Sequence, residues 1–231
     1  MQKLFRYIAL IPAAGVGSRL GLNGPKQYLR LGKRTMLEHS ICAMLGDVRV
    51  ERVFVIVAGA DDQWQSIRPD ARVEFLPVGG ATRAHSVLNA LAALAARFHD
   101  DDRVLVHDAA RPCLEKMELM RLIDEVGDDE SGGLLAIPMA DTLKRADDGR
   151  VVETLQREAL WCAQTPQMFR FASLRAALSA DSLDGITDDS SAIERSGSFP
   201  RLVPGSATNI KVTTEHDLAL ARSILSEREC T

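Results

Sequence analysis

Short apolar runs alternate with helical patterns along most of this 231-residue chain. Five runs have the length and apolar content of buried strands: YIALIP (7–12), RVFVIVA (52–58), RVEFLP (72–77), RVLVHD (103–108) and GGLLAIP (132–138). Residues with helical spacing lie between them, namely Leu37, Ile41, Met44 and Leu45, then Val87, Leu88, Leu91, Leu94 and Ala95, and a further helix is predicted around 115–126. This order predicts an α/β, Rossmann-like fold with a mostly parallel sheet and helices on both faces. Because no segment is linker-like, we expect residues 1–231 to form a single domain.

One segment, at about residues 139–160, interrupts this alternation. Within it, DTLKRADDGRVVETLQ (141–156) has two strand-like halves around Asp148-Gly149, a dipeptide typical of tight hairpin turns. The segment carries charges on both faces, and an isolated two-stranded hairpin is only marginally stable in water. We therefore predict a β-hairpin arm that projects from the domain and packs against a partner, most simply a second copy of the chain.

Composition excludes several classes of protein. An apolar content of 46% and a charged content of 26% are typical of a globular domain rather than a disordered chain. The net charge of −4 gives no general attraction to nucleic acid or to an anionic membrane, so neither is expected as a partner. No run approaches the roughly 20 apolar residues of a membrane helix. The four cysteines are too dispersed for a disulfide framework or a zinc site, and a cytoplasmic location is expected.

The first predicted strand leads into a glycine loop, AAGVGSR, which is followed by PKQYL. The dinucleotide-binding pattern fails because Leu20 stands where a small residue is needed, and the P-loop pattern fails because Gln27 follows Lys26. Residues 13–17 allow the backbone to approach an anion closely, and Arg19 and Lys26 add two cations at the same place. The loop is therefore interpreted as a polyphosphate site.

Further stretches along the chain are each modest evidence for a function, but their combination and order are very specific. They are GGATRAHSV (79–87), VHDAARPC (106–113), DTLKR (141–145), QTPQMF (164–169), ITDDSSAIE (186–194) and NIKVTTEHDL (209–218). Together with the loop, they resemble the 2-C-methyl-D-erythritol 4-phosphate cytidylyltransferase family of nucleotidyltransferases over nearly the whole chain. The resemblance implies transfer of a cytidylyl group from CTP to methylerythritol phosphate, with release of pyrophosphate and with Mg²⁺ or another divalent cation as cofactor. A phosphate monoester is largely dianionic near neutral pH, so its direct attack on the α-phosphorus requires no general base.

The resemblance also implies which residues bind CTP. Lys26 and Lys211 would flank the α-phosphate, and Arg19 would hold the β- and γ-phosphates. The other CTP contacts would come from Ala13, Ala14, Gly15, Gly17, Gly79, Gly80, Ser86 and Asp108. Asp108 ends a predicted strand, where a carboxylate could orient Mg²⁺ or accept a hydrogen bond from a ribose hydroxyl.

The residues alone leave the role of Lys211 open and give another role to His107, the neighbour of Asp108. Lys211 lies in NIKVT, which is typical of a strand, so it could also be an ordinary surface lysine. His107 is expected to pack in the core rather than to bind a metal, because adjacent strand residues point to opposite faces.

For the acceptor, the resemblance implies contacts from Arg111, Thr142, Arg157, Thr165 and Thr187. Thr142 and Arg157 flank the predicted arm, which in the family reaches into the neighbouring subunit. A homodimer is therefore expected, with each site completed by its partner.

Two alternative functions remain open from the sequence. A cytidylyltransferase for another polyol phosphate, such as ribitol 5-phosphate, would share the loop, both lysines and the mechanism. A non-catalytic nucleotide-binding module would need the glycine loop, but not two lysines that are distant in sequence and converge on one phosphate.

Overall fold

A seven-stranded sheet forms the centre of the computed structural model, which describes residues 5–15, 25–67, 69–179 and 182–229. The strands are β1 Tyr7–Pro12, β2 Arg30–Leu31, β3 Arg34–Thr35, β4 Val50–Ile56, β5 Val73–Leu76, β6 Arg103–Val106, β7 Gly133–Pro138, β8 Leu143–Asp147, β9 Arg150–Leu155, β10 Trp161–Arg170 and β11 Arg201–Pro204. The order across the central sheet is β11-β7-β10-β6-β1-β4-β5. Only β10 is antiparallel to its neighbours in this sheet, so the predicted mostly parallel sheet is confirmed.

Helices cover both faces of the sheet. They are α1 Met36–Met44, α2 Arg83–Leu94, α3 Lys116–Val126, α4 Phe171–Leu178, α5 Asp189–Arg195 and α6 Glu215–Glu229. The start of α6 is capped reciprocally, because Thr214 N–H donates to Asp217 and Asp217 N–H donates to the Thr214 hydroxyl. None of the described helices is long and apolar enough to span a bilayer.

The side chains of β1 explain why its apolar run is continuous. Ile8 and Leu10 pack in one core layer with α2, α4 and α5, whereas Ala9 and Ile11 pack in the opposite layer with α1 and α3. All of these β1 side chains are fully buried. A strand that is covered on both faces needs apolar residues at every position, which is the pattern that the sequence has.

The strand order places a natural ligand-binding position beside β1. From β1 the chain proceeds to β4 and β5 on one side, then returns across β1 to β6 on the other. The carboxyl ends of β1 and β6 are neighbours because these strands pair in parallel, from Tyr7 with Arg103 to Leu10 with Val106. The strand order reverses between them, and ligands of open α/β sheets bind at such a reversal.

Two parts of the architecture differ from the sequence-based expectation. The strand β10 was not predicted, and its sequence WCAQTPQMFR contains a proline and polar glutamines that are unusual in a central strand. The register between β10 and β7 is irregular from Ala163 to Gln167, which accommodates this sequence. The prediction of a strand at NIKVT is wrong, because residues 209–213 form a non-regular segment tied to the fold by the bond from Val212 N–H to Ala110 O at 2.8 Å.

The predicted arm is present. Strands β8 and β9 pair with each other in a separate two-stranded sheet, and the turn has positive φ angles at Asp148 (43°) and Gly149 (73°). This conformation favours the Asp-Gly dipeptide found there. Val151 and Val152 on β9 are 63% and 59% exposed, so the arm leaves apolar side chains in solvent.

Candidate active site

A cleft of about 670 Å³ opens at the carboxyl ends of β1 and β6. Its volume is within the usual range for a ligand pocket. Nine of the residues assigned to the site from the sequence line it: Ala13, Ala14, Gly15, Lys26, Gly80, Ser86, Asp108, Thr187 and Lys211. Gly17 and Arg19 lie outside the described residues.

The two loops at the rim of the cleft are packed closely together. Gly79 N–H donates to Val57 O at 2.9 Å, and a Cβ atom at Gly79 would overlap the Cβ of Ala14 and lie 2.9 Å from Val57 O. A glycine is therefore needed for this contact between the loop after β1 and the loop before α2. Ala13 N–H donates to Ile56 O at 2.8 Å, so that amide holds the loop rather than facing a ligand.

Ser86 orders the glycine pair before α2. Its hydroxyl accepts a hydrogen bond from Gly80 N–H and donates one to Thr82 O, both at 3.0 Å. Thr82 caps α2, since its side chain accepts from His85 N–H. Ser86 itself lies in the first turn of α2 after this cap, and its contact with a nucleotide stays a prediction.

The two lysines from opposite ends of the chain meet at the cleft. The ammonium of Lys26 donates to Val212 O at 2.9 Å, so it contacts the segment that carries Lys211. Lys211 is 46% exposed and its Nζ lies 2.7 Å from Oδ2 of Asp108. Lys211 is therefore held at the site by an ion pair and is not a lone surface lysine on a strand.

Asp108 is the main anion of the cleft. Its side chain is only 9% exposed, and its two oxygens contact different cations, with Oδ1 at 2.8 Å from Arg83 Nε and Oδ2 facing Lys211. Burial by itself would raise the pKa of the Asp108 carboxyl, but the charges of Arg83 and Lys211 outweigh it and hold that pKa well below its usual range. Asp108 is therefore ionised at neutral pH.

A buried polar network lies beneath the cleft. Thr165 Oγ1 accepts from Asp108 N–H at 3.0 Å and contacts His107 Nδ1 at 3.0 Å, while His107 Nε2 is 3.1 Å from Arg111 O. Arg111 donates to Asn209 O at 2.6 Å and to Ala163 O at 3.3 Å. Burial lowers the pKa of His107 to about 4, so its imidazole is neutral, and it packs in the core as expected.

The residues assigned to the acceptor are not brought together within one chain. Thr187 lines the cleft, whereas Arg111 and Thr165 are buried in the network below it. Thr142 and Arg157 lie exposed at the base of the arm, where Arg157 donates to Ala140 O. Neither of these arm residues is among those that line the cleft. Their direct contact with an acceptor stays a prediction.

Two charged residues of the site were missed in the sequence. Arg83, the first residue of α2, joins Asp108 to Asp189, with Nη2 at 2.8 Å from Asp189 Oδ2. Burial raises the pKa of Asp189, although the Arg83 guanidinium opposes this change. Both residues stand in stretches that the sequence singled out, GGATRAHSV and ITDDSSAIE, but nothing in their spacing indicates an ion pair between residues so far apart in the chain.

A second cleft, of about 440 Å³, differs in its charge. Its apolar part includes Trp161, Phe199 and Leu202, and its charged lining among the described residues consists of Asp188 and Glu194. Carboxylates without an accompanying lysine or arginine repel a polyphosphate. The cleft at the ends of β1 and β6 is therefore the better candidate for a nucleotide.

Comparisons with known proteins agree on one family. The family model described as 2-C-methyl-D-erythritol 4-phosphate cytidylyltransferase matches residues 7–227. The protein of that name from Laribacter hongkongensis is 53% identical to this chain over 224 residues, covering 95% of this chain and 96% of that protein. The protein of the same name from Nitrosomonas eutropha is 50% identical to this chain, and the match covers 99% of this chain and 100% of that protein.

Solved structures give the same result. The crystal structure of 4-diphosphocytidyl-2C-methyl-D-erythritol synthase has a TM-score of 0.84 and 40% identity, covering 96% of this chain and 99% of its own. The 2-C-methyl-D-erythritol 4-phosphate cytidylyltransferase of Francisella tularensis has a TM-score of 0.81 and 33% identity, and the match covers 95% of this chain and 99% of that chain. These relatives carry the methylerythritol name, so a different polyol phosphate as acceptor is not favoured. The chain belongs to the 2-C-methyl-D-erythritol 4-phosphate cytidylyltransferase family of nucleotidyltransferases.

Proposed function

We propose that this chain transfers a cytidylyl group from CTP to 2-C-methyl-D-erythritol 4-phosphate, a step of isoprenoid biosynthesis. An oxygen of the acceptor phosphate attacks the α-phosphorus of CTP in line, the bond from that phosphorus to the β-phosphate oxygen breaks, and pyrophosphate leaves. The observation that carries this proposal is the meeting of Lys26 and Lys211 with residues 13–15 of the glycine loop in one cleft, in a chain that belongs to the family.

The chemistry needs charge neutralisation and positioning rather than a proton acceptor. The acceptor phosphate is already largely dianionic, because its second pKa is about 6. His107, which follows β6 beside the site, is fully buried and bonded to Thr165 and Arg111, so it does not face the cleft. Lys26 and Lys211 would stabilise the charge that develops around the α-phosphorus and on the departing pyrophosphate. Arg19 would add a third cation there.

Mg²⁺ is proposed as the cofactor. Mg²⁺ in nucleotide sites takes one or two carboxylates together with substrate phosphates and waters. Among the described residues that line the cleft, Asp108 is the one carboxylate, and the Lys211 that pairs with its Oδ2 is half-exposed and able to exchange that oxygen for another partner. The residues therefore fit such an ion, which would be held by Asp108 and the CTP phosphates and would neutralise their charge.

A homodimer is proposed to complete the acceptor site. Its support is the position of Thr142 and Arg157 on the arm, away from the cleft of their own chain, and the exposure of the arm valines. Sedimentation of the purified protein tests this. We expect a dimer, and Val151→Asp combined with Val152→Asp should give a monomer with a raised KM for the acceptor. A wild-type monomer with full activity would refute the proposal.

We also propose a cytoplasmic location and a single domain, each from its own observation. Cys42, Cys113 and Cys162 are free thiols, which suits a reducing cytoplasm. The central sheet takes strands from β1 near the start of the chain and from β11 near its end, which supports a single domain.

Pyrophosphate release tests the activity directly. Purified protein is mixed with CTP, Mg²⁺ and methylerythritol 4-phosphate, with ribitol 5-phosphate as a parallel acceptor, and release is expected with methylerythritol phosphate alone. Lys26→Ala and Lys211→Ala should each lower kcat by roughly a hundredfold or more, as removal of one transition-state donor does. Lys33→Ala, an exposed lysine in the β2–β3 turn, is the control. Full turnover by both cleft variants would indicate a binding module instead.

A further inference from the structure

Four side chains of alternating charge form a continuous row from the cleft into the protein. The row consists of Lys211, Asp108, Arg83 and Asp189, and the successive ion-pair distances are 2.7, 2.8 and 2.8 Å. Lys211 at one end is 46% exposed, whereas Asp189 at the other is 1% exposed and is not part of the cleft lining. The exposed end is therefore free to exchange partners, and the buried end is fixed.

The two cations on Asp108 are not equivalent. Lys211 has a flexible stem and a compact charge, whereas the planar guanidinium of Arg83 has donors in a fixed arrangement. Arg83 uses Nε for Asp108 and Nη2 for Asp189, and its side chain is only 26% exposed. The described residues offer the Asp189 carboxylate no hydrogen-bond donor besides Arg83. Among the described residues, Asp189 therefore pairs with Arg83 alone.

If Lys211 binds a phosphate of CTP, it must leave Asp108. A carboxylate that is almost buried is costly when it loses its countercharge. Arg83 remains on Oδ1 when Lys211 departs from Oδ2, so Asp108 keeps this cation before the proposed Mg²⁺ takes the oxygen that Lys211 leaves.

We propose that Arg83, held by Asp189, is a positioning residue that keeps the Asp108 carboxylate in place while Lys211 transfers from Asp108 to the triphosphate of CTP. This inference rests on the proposed function, because it takes the phosphate of CTP as the new partner of Lys211. It goes beyond that function by giving roles to Arg83 and Asp189, which do not themselves act on the α-phosphorus.

Ligand binding without turnover tests the proposal. The dissociation constants of CTP and of cytidine are measured by calorimetry for the wild type, Arg83→Gln and Asp189→Asn. Cytidine has no phosphate, so its binding leaves Lys211 on Asp108. We expect both variants to bind CTP about tenfold more weakly, which is about 1.4 kcal/mol, and to bind cytidine within about twofold of the wild type.

Equal losses for CTP and cytidine would overturn the proposal, because they would indicate general distortion of the cleft. Arg97→Gln is the matched control. Arg97 lies outside the cleft lining and forms a similar ion pair, with its Nη2 2.8 Å from Oε2 of Glu74. Its substitution should leave both dissociation constants unchanged. A second comparison adds Arg83→Gln to Asp108→Asn. In the Asp108→Asn background, residue 108 has no negative charge for Arg83 to balance. Adding Arg83→Gln should therefore weaken CTP binding by less than about twofold, and a full tenfold loss would refute the positioning role of Arg83.

The same experiments separate this inference from the proposed function. Absence of pyrophosphate release by the wild type would contradict the proposed reaction but would leave the binding comparison valid. Normal release by the wild type together with unchanged CTP binding by Arg83→Gln and Asp189→Asn would contradict only the positioning role.

Discussion

The buried histidine beside the site makes the stability of this protein depend on pH. His107 is fully buried, and both ring nitrogens are engaged, with Thr165 Oγ1 and Arg111 O. Burial lowers the pKa of His107 from its ordinary 6.5 to about 4. Between these values the unfolded chain binds a proton at this position that the folded chain does not bind. The contribution of His107 to folding is therefore complete above pH 6.5 and is lost as the pH falls towards 4.

The size of the effect follows from the two pKa values. Each pH unit between about 4 and 6.5 is worth 1.36 kcal/mol for one group, so full loss amounts to about 3 kcal/mol. A typical domain has a free energy of unfolding of about 5–15 kcal/mol, so this loss is a large fraction of the total. The neighbouring carboxylate of Asp108 does not add to it in this range, because its pKa lies well below its usual value.

Urea unfolding at a series of pH values measures this directly. The wild type and His107→Asn are compared between pH 4 and pH 8, and the difference between their unfolding free energies is plotted against pH. We expect His107→Asn to be less stable at pH 8 and to lose less stability on acidification, by about 1.4 kcal/mol per pH unit. Parallel curves would show that His107 is not a buried neutral group and would refute the reasoning.

Three further predictions concern the loops and termini around the site. Gly79→Ala should cost about 1–3 kcal/mol and weaken CTP binding, because its Cβ would displace Ala14. Gly59→Ala, with its nearest atom at 3.7 Å, is the control, and equal effects of the two would contradict the packing explanation. Arg111→Gln should lower the unfolding free energy by about 2 kcal/mol, because two backbone carbonyls lose a charged donor; a urea midpoint like that of the wild type would disprove this. Thr214→Val should cost about 1 kcal/mol through the lost cap of α6, with rescue by Thr214→Ser in the same urea assay, and no loss would rule out the cap.

Local pattern was sufficient for most of the elements. The five predicted strands, the first helices and the arm are present because each depends on neighbours in sequence, as with Asp148-Gly149 at its positive φ angles. The antiparallel β10 was missed because its polar residues are stabilised by contacts distant in sequence. Gln167, for example, contacts Asp188 and Ser190 N–H. The segment at NIKVT has a strand-like composition, yet it is held as a non-regular segment by contacts with Lys26 and Ala110.

The sequence by itself determined the layered α/β architecture, the glycine loop, the hairpin and the family, because these depend on periodicity, turn chemistry and motifs that are read along the chain. Only the tertiary structure decided how the charges of the site are paired. Arg83, Asp108, Asp189 and Lys211 are far apart in sequence, and their ion pairs exist because the fold buries the two carboxylates against these cations. Burial and distance set the strength of such interactions, and neither is a property of the linear sequence.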